Sequence, residues 1–362
     1  MSWSTAPPGR GSVRVVLVVA VLVLTLVAVA LSTAFLLRPS LTPAQWALAR
    51  DVPTLDPQDP VADPQGLHLL LVPHPDDELS GWGSLLDRPD LRPVLVLLTR
   101  GEATQRCGEQ AMANHLQVEL GEVAPRPDPT SQGASSTACE EARLQAFRTA
   151  LGEAARHTPV LAVDWSLARP ATVAGQGAEV VEGRHATVVL LDLGDDALTA
   201  SGVTEVLAGM LDAPPEGVPD LPVGRITAAA YYATRGEVAD RPTCEVVVVC
   251  PAGERAYVYD RPDHLAVREA ARALAERAAE GSWLATSPFD PAASVHRALP
   301  QELYDLAMGL GPGDAGSAPR MGTYQRVYGW LAFPDVWRRG DLPLARDQVM
   351  FPRVQSYEVV PP

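Results

Sequence analysis

The chain has 362 residues, 47% of them hydrophobic, which is enough to bury a large core and too apolar for a mainly disordered protein. Its 44 acidic residues outnumber 29 basic ones, every one of them arginine. The resulting net charge of −15 repels polyphosphate and argues against nucleic acid as a partner.

Residues 1–14 form a short amino terminus, expected on the cytoplasmic side. From Val15 to Leu37, 23 consecutive residues carry no charge, enough for a helix to cross a hydrocarbon core of roughly 30 Å. The run is longer than the apolar region of about 7–15 residues in a cleavable signal peptide, so residues 15–37 are predicted to be a transmembrane signal anchor. Small residues near Ser32 to Ala34 leave cleavage as the alternative. Arg10 and Arg14 precede the run and Arg38 and Arg50 follow it, so flanking charge leaves orientation open. With so short an amino terminus, the expectation is a single-pass protein of the cell membrane with its globular part extracytoplasmic.

Residues 38–66 shift to Pro, Asp and Gln, with Pro53, Pro57, Pro60 and Pro64 breaking any regular element, and read as a stalk. Beyond it, apolar runs predict strands at Leu67 to Val72, Val94 to Leu98, Thr187 to Leu193, Ile226 to Tyr231, Glu245 to Cys250 and Ala256 to Tyr259. Helical patterns fall near Glu140 to His157 and Asp263 to Glu280. This alternation predicts an α/β fold, a layered and mostly parallel sheet over 67–362. Within it, residues 282–362 are a carboxyl-terminal extension whose Pro-punctuated aromatic stretch, Tyr324 to Tyr357, reads either as extra strands or as a covering module.

Cys107, Cys139, Cys244 and Cys250 are an even set, consistent with disulfides in an oxidising compartment. Cys244 with Cys250 is the easiest pair, and Cys107 with Cys139 would staple the Pro, Ser and Gly-rich excursion from Pro125 to Thr137. Four buried thiols are the alternative.

The chemistry concentrates in His74-Pro75-Asp76-Asp77-Glu78, at the predicted end of the first strand. Residues at a strand's carboxyl edge face the crevice in which open α/β sheets bind ligands. An imidazole and a carboxylate three residues apart can hold one divalent ion, while the adjacent carboxylate serves a water there as general base. A hydrolytic zinc site has three protein ligands, so a third donor must come from elsewhere. His264 is singled out, because Tyr259-Asp260-Arg261-Pro262-Asp263-His264 follows a predicted strand and opens a long helix. His68 lies inside the first predicted strand and reads as structural.

Taken in order, His74-Pro75-Asp76-Asp77-Glu78, then Thr99-Arg100-Gly101-Glu102, then Pro262-Asp263-His264 resemble the PIG-L/LmbE-like zinc-dependent N-acetylglucosaminyl deacetylases over about Leu67 to Glu280. The resemblance implies a Rossmann-like fold with helices on both faces of the sheet. It also implies that His74, Asp77 and His264 hold Zn2+ and that Asp76 is the catalytic base. Family members commonly carry His-Pro-Asp-His, whereas this chain has Arg261 at the first position. A guanidinium there can stabilise an oxyanion but cannot exchange a proton at neutral pH. Tyr259 matches a tyrosine near the reacting amide in some members. Glu78 is expected to brace the turn, and Glu102 to orient a loop. The expected activity is deacetylation of an N-acetylated sugar or glycoconjugate, with cell-envelope glycans or glycolipids favoured by the outward location. The alternative is a catalytically silent glycan-binding surface protein of the same fold.

Overall fold

The computed structural model describes residues 52–55, 61–101, 137–230, 261–286, 293–308, 327–328 and 353–362. The first strand, β1 (Gly66–Val72), is buried along its whole length, as an apolar run covered on both faces should be. It pairs in parallel with β2 (Leu91–Leu97) on one side and β6 (Val223–Ala228) on the other. Outside these lie β5 (Thr187–Leu191) next to β2 and β7 (Ser282–Thr286) next to β6, both parallel.

Antiparallel strands close the two flanks. On one, β3 (Arg169–Val173) and β4 (Gln176–Glu182) form a hairpin against β5. Its two turn residues, Ala174 and Gly175, both have positive φ (48° and 81°), the handedness that matches a twisted hairpin. On the other, β9 (Val354–Val360) runs between β7 and β8 (Val295–Ala298). Among the described residues the order is β3-β4-β5-β2-β1-β6-β7-β9-β8, a nine-stranded mixed sheet that is mostly parallel, in an α/β arrangement. Strands from the carboxyl-terminal extension thus belong to the same sheet.

Alternation along the strands builds two cores. Leu70, Val72, Leu95, Leu97, Val188 and Leu190 face one side, with α1 (Trp82–Asp87), α2 (Thr137–Ala154) and α5 (Gln301–Met308) covering it. Leu69, Leu71, Val94, Val96, Val189 and Leu191 face the other, under α3 (Ala200–Asp212) and α4 (Pro262–Ala273). The period-two spacing of side chains is what sends neighbouring residues to opposite cores.

The elements differ from the sequence expectation in places. The helix predicted through Glu280 stops at Ala273 and continues as a 3-10 turn, Ala275–Arg277, before Gly281 (φ 70°) turns the chain into β7. The β3–β4 hairpin and α3 were not anticipated. For α3 the signal was present, since Val203, Val206, Leu207 and Met210 recur at helical spacing and are buried, and Thr199 caps the helix by accepting from Gly202 N–H. The strands expected at Glu245 to Cys250 and Ala256 to Tyr259 lie outside the described residues, as do Cys107, Cys244, Cys250, Glu102 and the run from Val15 to Leu37. Among the described residues no helix is long and apolar enough to cross a membrane. Part of the segment expected to be a stalk touches the sheet: Thr54 bridges to Ala298, and Leu55 N–H donates to Ala298 O at 2.9 Å.

The strand order places the site. From β1 the chain moves to β2 on one side and later returns to β6 on the other, so the order reverses at β1. At such a reversal the connections leaving the two strands diverge and leave a crevice at their carboxyl ends. The turn after β1 holds His74 to Glu78, and α4, which opens with Pro262-Asp263-His264, packs over β1 and β6.

Candidate metal centre

After Val72 the chain makes a tight turn and enters a 3-10 helix, Asp77–Gly81, that leads into α1. The turn is pinned at both ends. Asp77 Oδ2 accepts from the His74 backbone N–H at 3.1 Å, and Asp77 N–H donates to His74 O. The Thr99 hydroxyl donates to Pro73 O at 2.8 Å and accepts from Gly101 N–H at 3.2 Å, so the Thr99-Arg100-Gly101 segment buttresses the turn.

Three donor atoms converge here from two elements. His74 Nδ1 lies 3.0 Å from Asp77 Oδ2, His264 Nε2 lies 3.1 Å from the same oxygen, and the two ring nitrogens are 3.2 Å apart. All three residues are buried, and together they could hold a metal ion. Ligands about 2.0–2.1 Å from a tetrahedral ion stand roughly 3.3 Å from one another, so the triangle fits with a slight expansion. Two imidazoles and one carboxylate also form a donor set suited to a borderline divalent ion.

The far side of His74 decides its tautomer. Nε2 faces Asp195 Oδ1 at 3.0 Å and Asp263 Oδ2 at 3.2 Å. Two carboxylates there favour a proton on Nε2, which would leave Nδ1 to ligate an ion held with Asp77 and His264. Asp263 is itself fixed, accepting from Asp196 N–H at 2.8 Å and Leu198 N–H at 3.0 Å. His74, Asp195 and Asp263 also satisfy the distances of a metal group. With Nε2 protonated, however, they act as an outer support for His74.

Electrostatics follow from this crowding. Burial opposes a charge on His74, but hydrogen bonds to Asp195, Asp263 and Asp77 outweigh it and hold the imidazole well above its usual pKa. Burial likewise opposes ionisation of Asp77, yet the two histidines hold that carboxylate well below the ordinary range. Glu78 shows the opposite balance. It is fully buried, and desolvation pushes its pKa up to about 8. Its Oε2 accepts from Asp76 N–H at 2.9 Å and its Oε1 from the Tyr328 hydroxyl at 2.6 Å, so Glu78 braces the turn as expected.

Asp76 sits between these groups. It is partly exposed, with a side-chain accessibility of 14%, and its φ of 125° is unusual for a residue with a Cβ. Such a conformation costs about 1–3 kcal/mol and persists only where the surroundings enforce it. Arg261 is the residue just before α4 and is half exposed, with Nη1 3.6 Å from Asp196 Oδ1. Tyr259 lies outside the described residues. His68 is buried within β1 and hydrogen-bonds Thr227 Oγ1 at 2.8 Å, a structural placement.

Sequence reasoning brought together His74, Asp77 and His264 but missed Asp195, the supporting role of Asp263, and Tyr328. Asp195 had a faint signal, a Gly-Asp-Asp segment just past the end of a parallel strand. Tyr328 had none, because its partner is 250 residues away in the chain. No protein-family model matches the chain, and no curated protein matches it.

Proposed function

We propose that this protein is a zinc-dependent hydrolase that removes the acetyl group from an N-acetylated amino sugar or related glycoconjugate, held at the cell membrane by residues 15–37 with its sheet domain outside the cytoplasm. The observation that carries the reading is the convergence of His74 Nδ1, Asp77 Oδ2 and His264 Nε2 within 3.0–3.2 Å, beside a partly exposed carboxylate on a strained backbone. Support also comes from the three-block resemblance to PIG-L/LmbE-like deacetylases, with a Rossmann-like arrangement of the central strands.

When bound, the ion supplies Lewis-acid polarisation of the amide carbonyl. The remaining work falls to side chains. Asp76, partly exposed beside the donor triangle, takes a proton from the attacking water and returns it to the nitrogen of the scissile amide. Water adds at the carbonyl carbon, the carbon–nitrogen bond breaks, and acetate and a free amine leave. Asp195 and Asp263 keep His74 in one tautomer throughout. Arg261, the residue just before α4, would meet developing negative charge rather than relay a proton.

The pairing of Arg261 with Asp196 favours a second reading, a silent glycan-binding protein that retains the fold and the ion. Metal content and acetate release, measured on one preparation of the full chain with a panel of N-acetylhexosamine compounds, separate the two. About one zinc per chain together with acetate release is the result expected of the hydrolase. Glycan binding and zinc without release would leave the silent reading, and absence of zinc would overturn both.

A further inference from the structure

We propose that Arg143, on α2, is a positioning residue for Asp76, and that it sets the direction of that carboxylate through the backbone of the turn. The assignment rests on Asp76 as the proton carrier of the proposed hydrolase. Arg143 is 3% exposed, and a guanidinium so deeply placed must be matched by acceptors. Its Nη2 donates to Pro75 O at 2.9 Å and lies 3.6 Å from Asp76 Oδ1. One nitrogen therefore spans the peptide leading into Asp76 and the Asp76 carboxylate itself.

The surrounding chain is shaped to admit this side chain. Gly101 has φ 68°, and a Cβ there would fall 2.5 Å from Arg143 Cζ and Nε. A side chain at 101 would displace the guanidinium, so the glycine of the Thr99-Arg100-Gly101 block has a role that its sequence does not disclose. Glu78 holds the Asp76 N–H from the other side, and Tyr328 holds Glu78. The peptide unit that enters Asp76 is thus held at both its carbonyl and its N–H, and the carboxylate beyond it faces Arg143, which restrains the unfavourable φ. Lysine would retain the charge at 143, but its ammonium sits on a shorter stem and lacks the rigid plane that directs Nη2 at the carbonyl and the carboxylate.

Three variants of the full chain test this: Arg143→Gln, Arg143→Lys and Gly101→Ala. Each is measured for Co(II) stoichiometry with Co(II) as the probe metal, for amide exchange in peptides covering residues 73–79, for melting temperature, and for turnover of N-acetylglucosamine compounds. The expected result is full Co(II) loading in all three and faster exchange in 73–79, with a melting temperature lowered in Arg143→Gln and Gly101→Ala, since one loses a buried cation and the other places a Cβ at positive φ. Turnover by Arg143→Gln should drop by about 100-fold in kcat, the scale of a misplacement near 1 Å, with KM little changed. Arg143→Lys should recover part of that loss, and Gly101→Ala should reproduce it without altering α2. Unchanged exchange in 73–79, loss of Co(II), or a kcat equal to wild type would each overturn the proposal. Wild-type protein that turns over none of the compounds would overturn the hydrolase reading instead. The exchange and Co(II) measurements would still decide whether Arg143 holds the turn.

Discussion

Two groups of charged residues sit at opposite ends of the parallel strands, and they are built differently. At the amino ends, Arg225 donates to Asp87 at 3.0 Å and to Glu280 at 2.5 Å, Arg297 donates to Asp87, and Arg88 pairs with Asp90 and Glu280. Three guanidiniums meet three carboxylates, and Arg225 lies over the Trp283 ring at 3.6 Å. At the carboxyl ends, Asp77, Asp195 and Asp263 gather about two imidazoles, and the atoms that converge at the centre are acceptors or lone pairs. The first cluster neutralises itself and needs nothing added. The second could hold a cation, which is the ground for proposing a functional role there and a structural one at the other end.

The sharpest separation comes from Asp76→Asn, which should lower turnover by about 10²–10⁴-fold while metal content stays at the wild-type level, as measured by acetate release and metal analysis. Metal loss in that variant would show that Asp76 belongs to the ligand set. Arg225→Met should do the reverse. By leaving Asp87 and Glu280 without their cation it should destabilise the fold by about 3 kcal/mol in urea melts, with unchanged metal affinity. A comparable fall in metal affinity would mean that the two ends are coupled.

Chelation should lower stability by up to about 2.7 kcal/mol relative to protein held with free metal at a hundred times its Kd, read as a drop in melting temperature. His264→Ala protein should show no such drop. Asp263→Asn should weaken metal binding by about 10–100-fold, because a side-chain amide cannot match both the imidazole N–H and the two backbone N–H groups that the carboxylate accepts. Competition against a chromogenic chelator would measure it.

The smallest effect concerns His68. Burial, aided by Arg225 and Arg88, holds its pKa well below the usual value, so the folded chain stays neutral there while the unfolded chain takes up a proton below about pH 6.5. The unfolded state then binds more protons, and stability falls as pH drops below that value. His68→Gln should flatten this dependence by at most about 1.4 kcal/mol per pH unit between pH 6.5 and 5, as followed by urea melts across pH.

Much of this was legible in the chain itself. The apolar runs that became β1, β2, β5 and β6 are continuous because both faces of each strand are covered, and the His74 to Glu78 turn announces itself because unlike ligands are adjacent in sequence. His264 was found because it follows a predicted strand and begins a helix. The β3–β4 hairpin was hidden because its strands lie at an edge and carry polar residues, and Ala174 occupies a turn position for which Asn or Asp is the usual cue.

The sequence by itself pointed to the α/β class and to the His74 to Glu78 cluster, because each depends on local periodicity or on neighbours within a few residues, while His264 joined His74 and Asp77 only through the resemblance to a family. Only the tertiary structure decided which nitrogen of His74 points inward, since that depends on Asp195 and Asp263 arriving from elsewhere in the chain. It alone also decided that Arg143 and the Glu78–Tyr328 pair hold the Asp76 turn. Those hydrogen bonds join segments from 68 to 250 residues apart, and hydrogen-bond directions across such separations are set by how helices dock on the sheet, which no local pattern encodes.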